Sequence, residues 1–147
     1  MKTLIVYLFG CLIGLTVFLI HPSSHLILIT MKWSIIISFL YTFIGRLIPK
    51  IRLSLIRMVP DNIPYPKVIV YLTGILELLI SISLLFGLYE VLMSYIGIFL
   101  CIILFPANIK AYRQNIKLGD TSPTNIYLRF IIQLLFILSF VCIILLQ

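Results

Sequence analysis

One carboxylate set among apolar residues carries most of the chemistry this sequence could do. Glu77 interrupts the otherwise uncharged run Val68–Tyr89. On a helix it would lie roughly 15 Å from the Val68 end, at 1.5 Å per residue. An ionised carboxylate at that depth of a bilayer costs about 3 kcal/mol or more, so it must face other helices, find donors or take up a proton. Gly74, Glu77 and Ser81 fall at i, i+3 and i+7, with Thr73 one turn before Glu77, which gives that helix one small, polar side. Gln133 and Arg129, one turn apart on a later apolar run, and Asn108, just after Pro106, are the other polar groups within reach. By depth Gln133 matches Glu77 best, and Arg129 is long enough to reach inward. Glu77, Asn108, Arg129, Gln133, Thr73 and Ser81 thus define a polar pocket opening toward the cytoplasm. Such a set could hold a polar headgroup or a proton, or it could be hydrogen-bond glue between helices.

Little else in the sequence suggests a reaction. The three cysteines (Cys11, Cys101, Cys142) each lie within an apolar run and form no C-x-x-C pair, so they read as small packing residues. His21 and His25 share one turn and are too few for a zinc site. There is no ordered set of metal, flavin or haem ligands, no Gly-rich phosphate loop and no Ser-His-Asp arrangement. A self-contained catalyst is therefore not expected, and no cofactor is identified from the residues.

The elements that must position these groups follow from composition. The chain has 147 residues, of which 63% are hydrophobic and 10% charged, and its mean hydropathy is +1.25. Soluble domains carry about a quarter charged residues, and disorder needs low hydrophobicity, so both are excluded. The expected fold is an all-α, polytopic membrane helix bundle forming a single membrane domain, 1–147. Five runs suffice to cross a bilayer core, which takes about 20 apolar residues: Thr3–Ile20, Leu26–Gly45, Val68–Tyr89, Val91–Ile109 and Ile126–Gln147. The first also resembles a signal peptide, but its apolar core is long and no small-x-small site precedes His21, so a retained anchor is the better reading. A four-span alternative, with one of the first two runs on the surface, stays open. Pro106 should kink or end the fourth helix, and Ser122-Pro123 has the pattern of a cap and first helical residue for the fifth.

The net charge is +7. No soluble face remains for a nucleic-acid groove, and the excess belongs to cytoplasmic loops. An N-in, C-out topology puts every basic residue but Lys32 on one side, with Lys32 and Trp33 near the outer end of the second helix. There Lys32 could snorkel to the headgroups. Within the first basic loop, Arg46, Lys50, Ser54 and Arg57 recur at helical spacing opposite Ile51, Leu55, Met58 and Val59, with Arg52 off the pattern. Arg46, Lys50, Arg52 and Arg57 therefore read as a basic segment on the membrane surface, drawn to anionic lipid, or as a plain topogenic loop.

Four motifs, in order, carry a family resemblance. They are Val59-Pro60-Asp61-Asn62-Ile63-Pro64-Tyr65-Pro66, then Gly74-Ile75-Leu76-Glu77, then Pro106-Ala107-Asn108-Ile109, and Arg129 with Gln133. Over residues 33–147 the chain resembles the DoxX-like (DoxX/DoxD-type) integral membrane proteins. The resemblance implies a four-helix module, with the 3–20 helix as an addition, in a bacterial plasma membrane. It also implies a membrane or redox protein partner and a quinone as the cofactor to consider. Where that family often has Gly-x-x-His, this chain has Gly45-Arg46-Leu47-Ile48. Two functions follow: a non-catalytic or quinone/redox-linked subunit of a membrane complex, or a small-solute permeation unit or structural and assembly protein.

Overall fold

The computed structural model describes residues 2–20, 25–119, 121 and 125–147. Its elements are α1 (Lys2–Ile20), α2 (Leu26–Leu47), α3 (Pro49–Met58), α4 (Pro66–Phe86), α5 (Glu90–Arg113) and α6 (Ile126–Leu146). All but α3 are long and apolar enough to cross a membrane. The protein is an all-helical, multi-pass membrane bundle.

Proline and glycine set several boundaries. Ile48 is extended (φ −75°, ψ 119°) and Pro49 opens α3, because the residue before a proline is pushed out of the helical region. Pro66 opens α4 after Tyr65, which stands in the left-handed region (φ 56°, ψ 53°), and Gly87 ends it in the same region (φ 70°). The Ser122-Pro123 pair lies outside the described residues. At the start of α6, Asn125 is the cap, its Oδ1 accepting from Tyr127 N at 3.0 Å. Pro106 does not end α5, which runs on to Arg113. Tertiary contacts hold the last turns. Ala111 is fully buried, and Lys110 Nζ donates to Val59 O at 2.7 Å and to Asp61 Oδ1 at 2.6 Å.

In lipid, helices gain little from apolar contact alone and pack best where small residues let backbones approach. α1 and α2 show this. A Cβ on Gly10 would sit 2.6 Å from Ser34 Cα, and one on Gly14 would sit 2.6 Å from Thr30 Cα. Two glycines one turn apart thus seat α1 against Thr30 and Ser34. Cys11 Sγ and Ser34 Oγ share a hydrogen bond of 2.9 Å. Tyr7 extends the contact to α6, its hydroxyl 2.8 Å from Ser139 Oγ. Ile5, Leu8, Leu12 and Leu19 of α1 face outward.

The bundle's two halves differ. In one, Ile35, Ile80, Phe140 and Ile143 are fully buried. Phe39 meets Phe136 and Phe140 edge-on, with centroids 5.6 Å apart in each case, a favourable geometry for aromatic rings. At this end Lys32 of α2 forms an ion pair with Glu90 of α5. Glu90 is the first residue of α5 and is itself buried, so Lys32 has a carboxylate partner at this end of the bundle. The other half, where α3 lies, is hollow.

Candidate functional site

Glu77 sits on α4 at mid-bundle, 5% exposed. Its partner is Arg46. Arg46 Nη2 lies 2.5 Å from Oε1 and Nε 3.0 Å from Oε2, so guanidinium and carboxylate pair in parallel. Thr42 Oγ1 donates a further bond to Oε2 at 3.0 Å. Arg46 Nη1 reaches Thr73 Oγ1 at 2.9 Å and Val70 O at 3.2 Å. Thr42 and Arg46 stand one turn apart on α2, as Thr73 and Glu77 do on α4, so the two antiparallel helices meet along a matched pair of polar turns. Gly74 makes room for this contact: a Cβ there would lie 2.9 Å from Arg46 Cδ.

This corrects two expectations. Arg46 does not belong to the surface segment, because α2 continues past Gly45 to Leu47 and turns Arg46 into the bundle. Glu77 is not partnered by Gln133 or Arg129. Gln133 Nε2 donates instead to Cys101 O on α5 at 3.1 Å, and Arg129 Nη1 donates to Asn108 Oδ1 at 2.7 Å. The missed residues, Thr42 and Arg46, did carry a signal. With the helix read up to Pro49, they fall one turn apart on one face of the second span.

Glu77, Thr73, Asn108, Arg129 and Gln133 nevertheless line one cavity of about 290 Å³. Ser81 does not line it; its hydroxyl bonds back to Glu77 O at 2.8 Å within α4. The walls are mainly apolar, including Phe39, Leu100, Leu104, Ile132 and Phe136. α3 closes one side with Ile51, Leu55 and Met58, while Lys50 and Arg57 are exposed. Arg52 is partly buried, its guanidinium 5.7 Å from the ring centre of Tyr71. The amphipathic character of this segment thus serves a lid as well as a surface.

Two cations and one anion line the cavity. Arg46 and Glu77 neutralise each other, and each is almost enclosed, with side-chain exposures of 11% and 6%. Arg129 has no carboxylate within ion-pair distance among the described residues. Its Nε is buried without a hydrogen-bond partner among those residues.

No curated protein and no solved structure matches the chain. A family model does match residues 40–143, from within α2 to near the end of α6, which takes in every cavity-lining residue except Thr3 and Phe39. By that match over more than half its length, the chain belongs to the family described as Domain of unknown function (DUF8561).

Proposed function

We propose that the protein is a non-catalytic, membrane-embedded binding subunit that takes the polar head of a lipid-soluble molecule into the cavity between α2, α4, α5 and α6. One observation carries this reading. A cavity near the lower end of the usual range for ligand sites, about 300–1,000 Å³, joins apolar walls to donors at Arg129, which the protein leaves partly unused. In this reading the Arg46–Glu77 pair is framework: every oxygen of the carboxylate already accepts a bond. The resemblance to DoxX-like proteins makes a quinone one ligand to consider, working with a redox partner in a bacterial plasma membrane. The donor set fits: Arg129 and Gln133 would face the ring's carbonyl oxygens. A bound quinone would supply two-electron redox chemistry, and the chain would bind and orient it. The charge distribution favours an N-in, C-out arrangement, with the cavity on the cytoplasmic side.

Permeation is the weaker reading, because Ile35, Ile80, Phe140 and Ile143 fill the half of the bundle beyond the cavity. The test is to purify the protein in a mild detergent, extract bound small molecules and identify them by mass spectrometry. A near-stoichiometric amphiphile should co-purify, and Ala107→Leu, which puts bulk into the cavity, should lose it while the helix content stays the same. Recovery of none, together with solute flux through reconstituted vesicles, would overturn the proposal.

A further inference from the structure

The charge balance of the cavity narrows its ligand. Three of the chain's four carboxylates are described, and each is already paired with a cation other than Arg129. Glu77 pairs with Arg46, Glu90 with Lys32, and Asp61 with Lys110. Arg129 stands on the first turns of α6, partly buried beside α5, and among the described residues the one side-chain bond it makes is to the neutral Asn108. A guanidinium is always charged and carries five N–H donors. Leaving one of them buried and unbonded costs free energy, and a neutral ligand head could accept that bond but could not balance the charge. Gln133 stands one turn further along the same helix face, so α6 offers two polar groups on one wall; Asn108 lines the cavity from α5 and the Arg46–Glu77 pair from α2 and α4, and aromatic and aliphatic side chains make up most of the rest.

The geometry points to an anionic head, a carboxylate or phosphate, on a single-chain amphiphile. It would lie against Arg129 Nε and the adjoining guanidinium N–H groups, with its apolar chain among Phe39, Leu104 and Phe136. Arginine suits this role because its planar fork matches the oxygens of a carboxylate or phosphate. The inference rests on the binding-subunit reading above and adds the sign of the ligand's charge. It separates a fatty-acid or lysophospholipid type of ligand from a neutral quinone.

The test uses the full chain in phosphatidylcholine nanodiscs, with empty nanodiscs subtracted. The probes share one chain length and differ in head: dodecanoate, dodecyl phosphate and dodecanol. Decylubiquinone serves as the neutral ring and inorganic phosphate as the head alone. The two anionic amphiphiles should bind at least tenfold more tightly than dodecanol or decylubiquinone, and Arg129→Gln should reduce that preference to less than threefold. The comparison among probes uses the wild-type chain, so it stands even if the variant fails to fold. Equal binding of dodecanol, dodecanoate and decylubiquinone would overturn the charge inference and leave the binding-subunit reading intact. Displacement of dodecyl phosphate by inorganic phosphate at the same concentration would overturn the amphiphile in favour of a free anion. Failure of every probe to bind would overturn both readings.

Discussion

Arg46→Met tests the claim that α2 and α4 are joined by one coupled ion pair. In the native protein the Glu77 carboxylate accepts two bonds from Arg46 and one from Thr42, at 5% exposure. Removing Arg46 leaves a buried anion with the Thr42 hydroxyl alone. Breaking a buried pair from one side costs about 3–5 kcal/mol, whereas replacing both partners by apolar residues of similar size is often neutral or better. Arg46→Met should therefore lose about 3–5 kcal/mol. The double variant Arg46→Met, Glu77→Leu should lose less than about 1 kcal/mol, so the second substitution restores about 2–4 kcal/mol of what the first one lost. The low exposure of both side chains, 11% and 6%, is why no large discount for solvent screening applies. The assay is reversible unfolding in mixed micelles with rising SDS, followed by far-UV circular dichroism. If the double variant recovers less than about 0.5 kcal/mol of the Arg46→Met loss, the pair is not a unit and the framework role assigned to it is wrong.

Three further outcomes follow from other contacts. Gly10→Leu would drive its side chain into the backbone of Ser34, so it should cost about 1–3 kcal/mol and separate α1 from α2. The readout is disulfide formation between Cys11 and a cysteine placed by Ser34→Cys, which should be efficient with Gly10 present and lost with leucine. Lys32→Met strips the buried Glu90 of its cation and should lose about 3 kcal/mol or more, with recovery in the Lys32→Met, Glu90→Met double variant. Asp61→Asn is the contrasting case. Its side chain is 85% exposed, so the loss should stay below about 1 kcal/mol; a larger loss would show that the loop before α4 carries more of the fold than its exposure implies.

The spans were legible because a helix in lipid needs an unbroken apolar run, and Glu77 stood out because a charge inside such a run is costly wherever it points. Its partner was not legible, and the reason is local. Closing the second span at Gly45 assigned Arg46 to a basic loop, where positive charge is expected in any case. The proline at 49 argues for a later boundary, since the helix can run to the residue before the one that proline restricts. Moving the end by two residues takes Arg46 from the membrane surface to the centre of the site. α5 too runs further than its apolar stretch. Pro106 does not end it: the burial of Ala111 and the two bonds from Lys110 hold the turns beyond the proline. The packing of α1 did leave a mark in the sequence, two glycines one turn apart, matched by Thr30 and Ser34 on the facing helix.

The polar set around Glu77 was open to two readings, glue or pocket, and the structure divides it between them. Hydrogen bonding is the criterion. Thr42, Arg46, Thr73 and Glu77 satisfy one another across α2 and α4, and groups satisfied in this way have little left to offer a ligand. Arg129 is different. Its bond to Asn108 joins α6 to α5, yet its Nε stays enclosed beside a cavity with no acceptor among the described residues. A donor in that position costs stability unless something else accepts from it. A protein that gained only helix packing from this residue would do better with a neutral side chain. Arg129 therefore bears the functional argument more than Glu77 does.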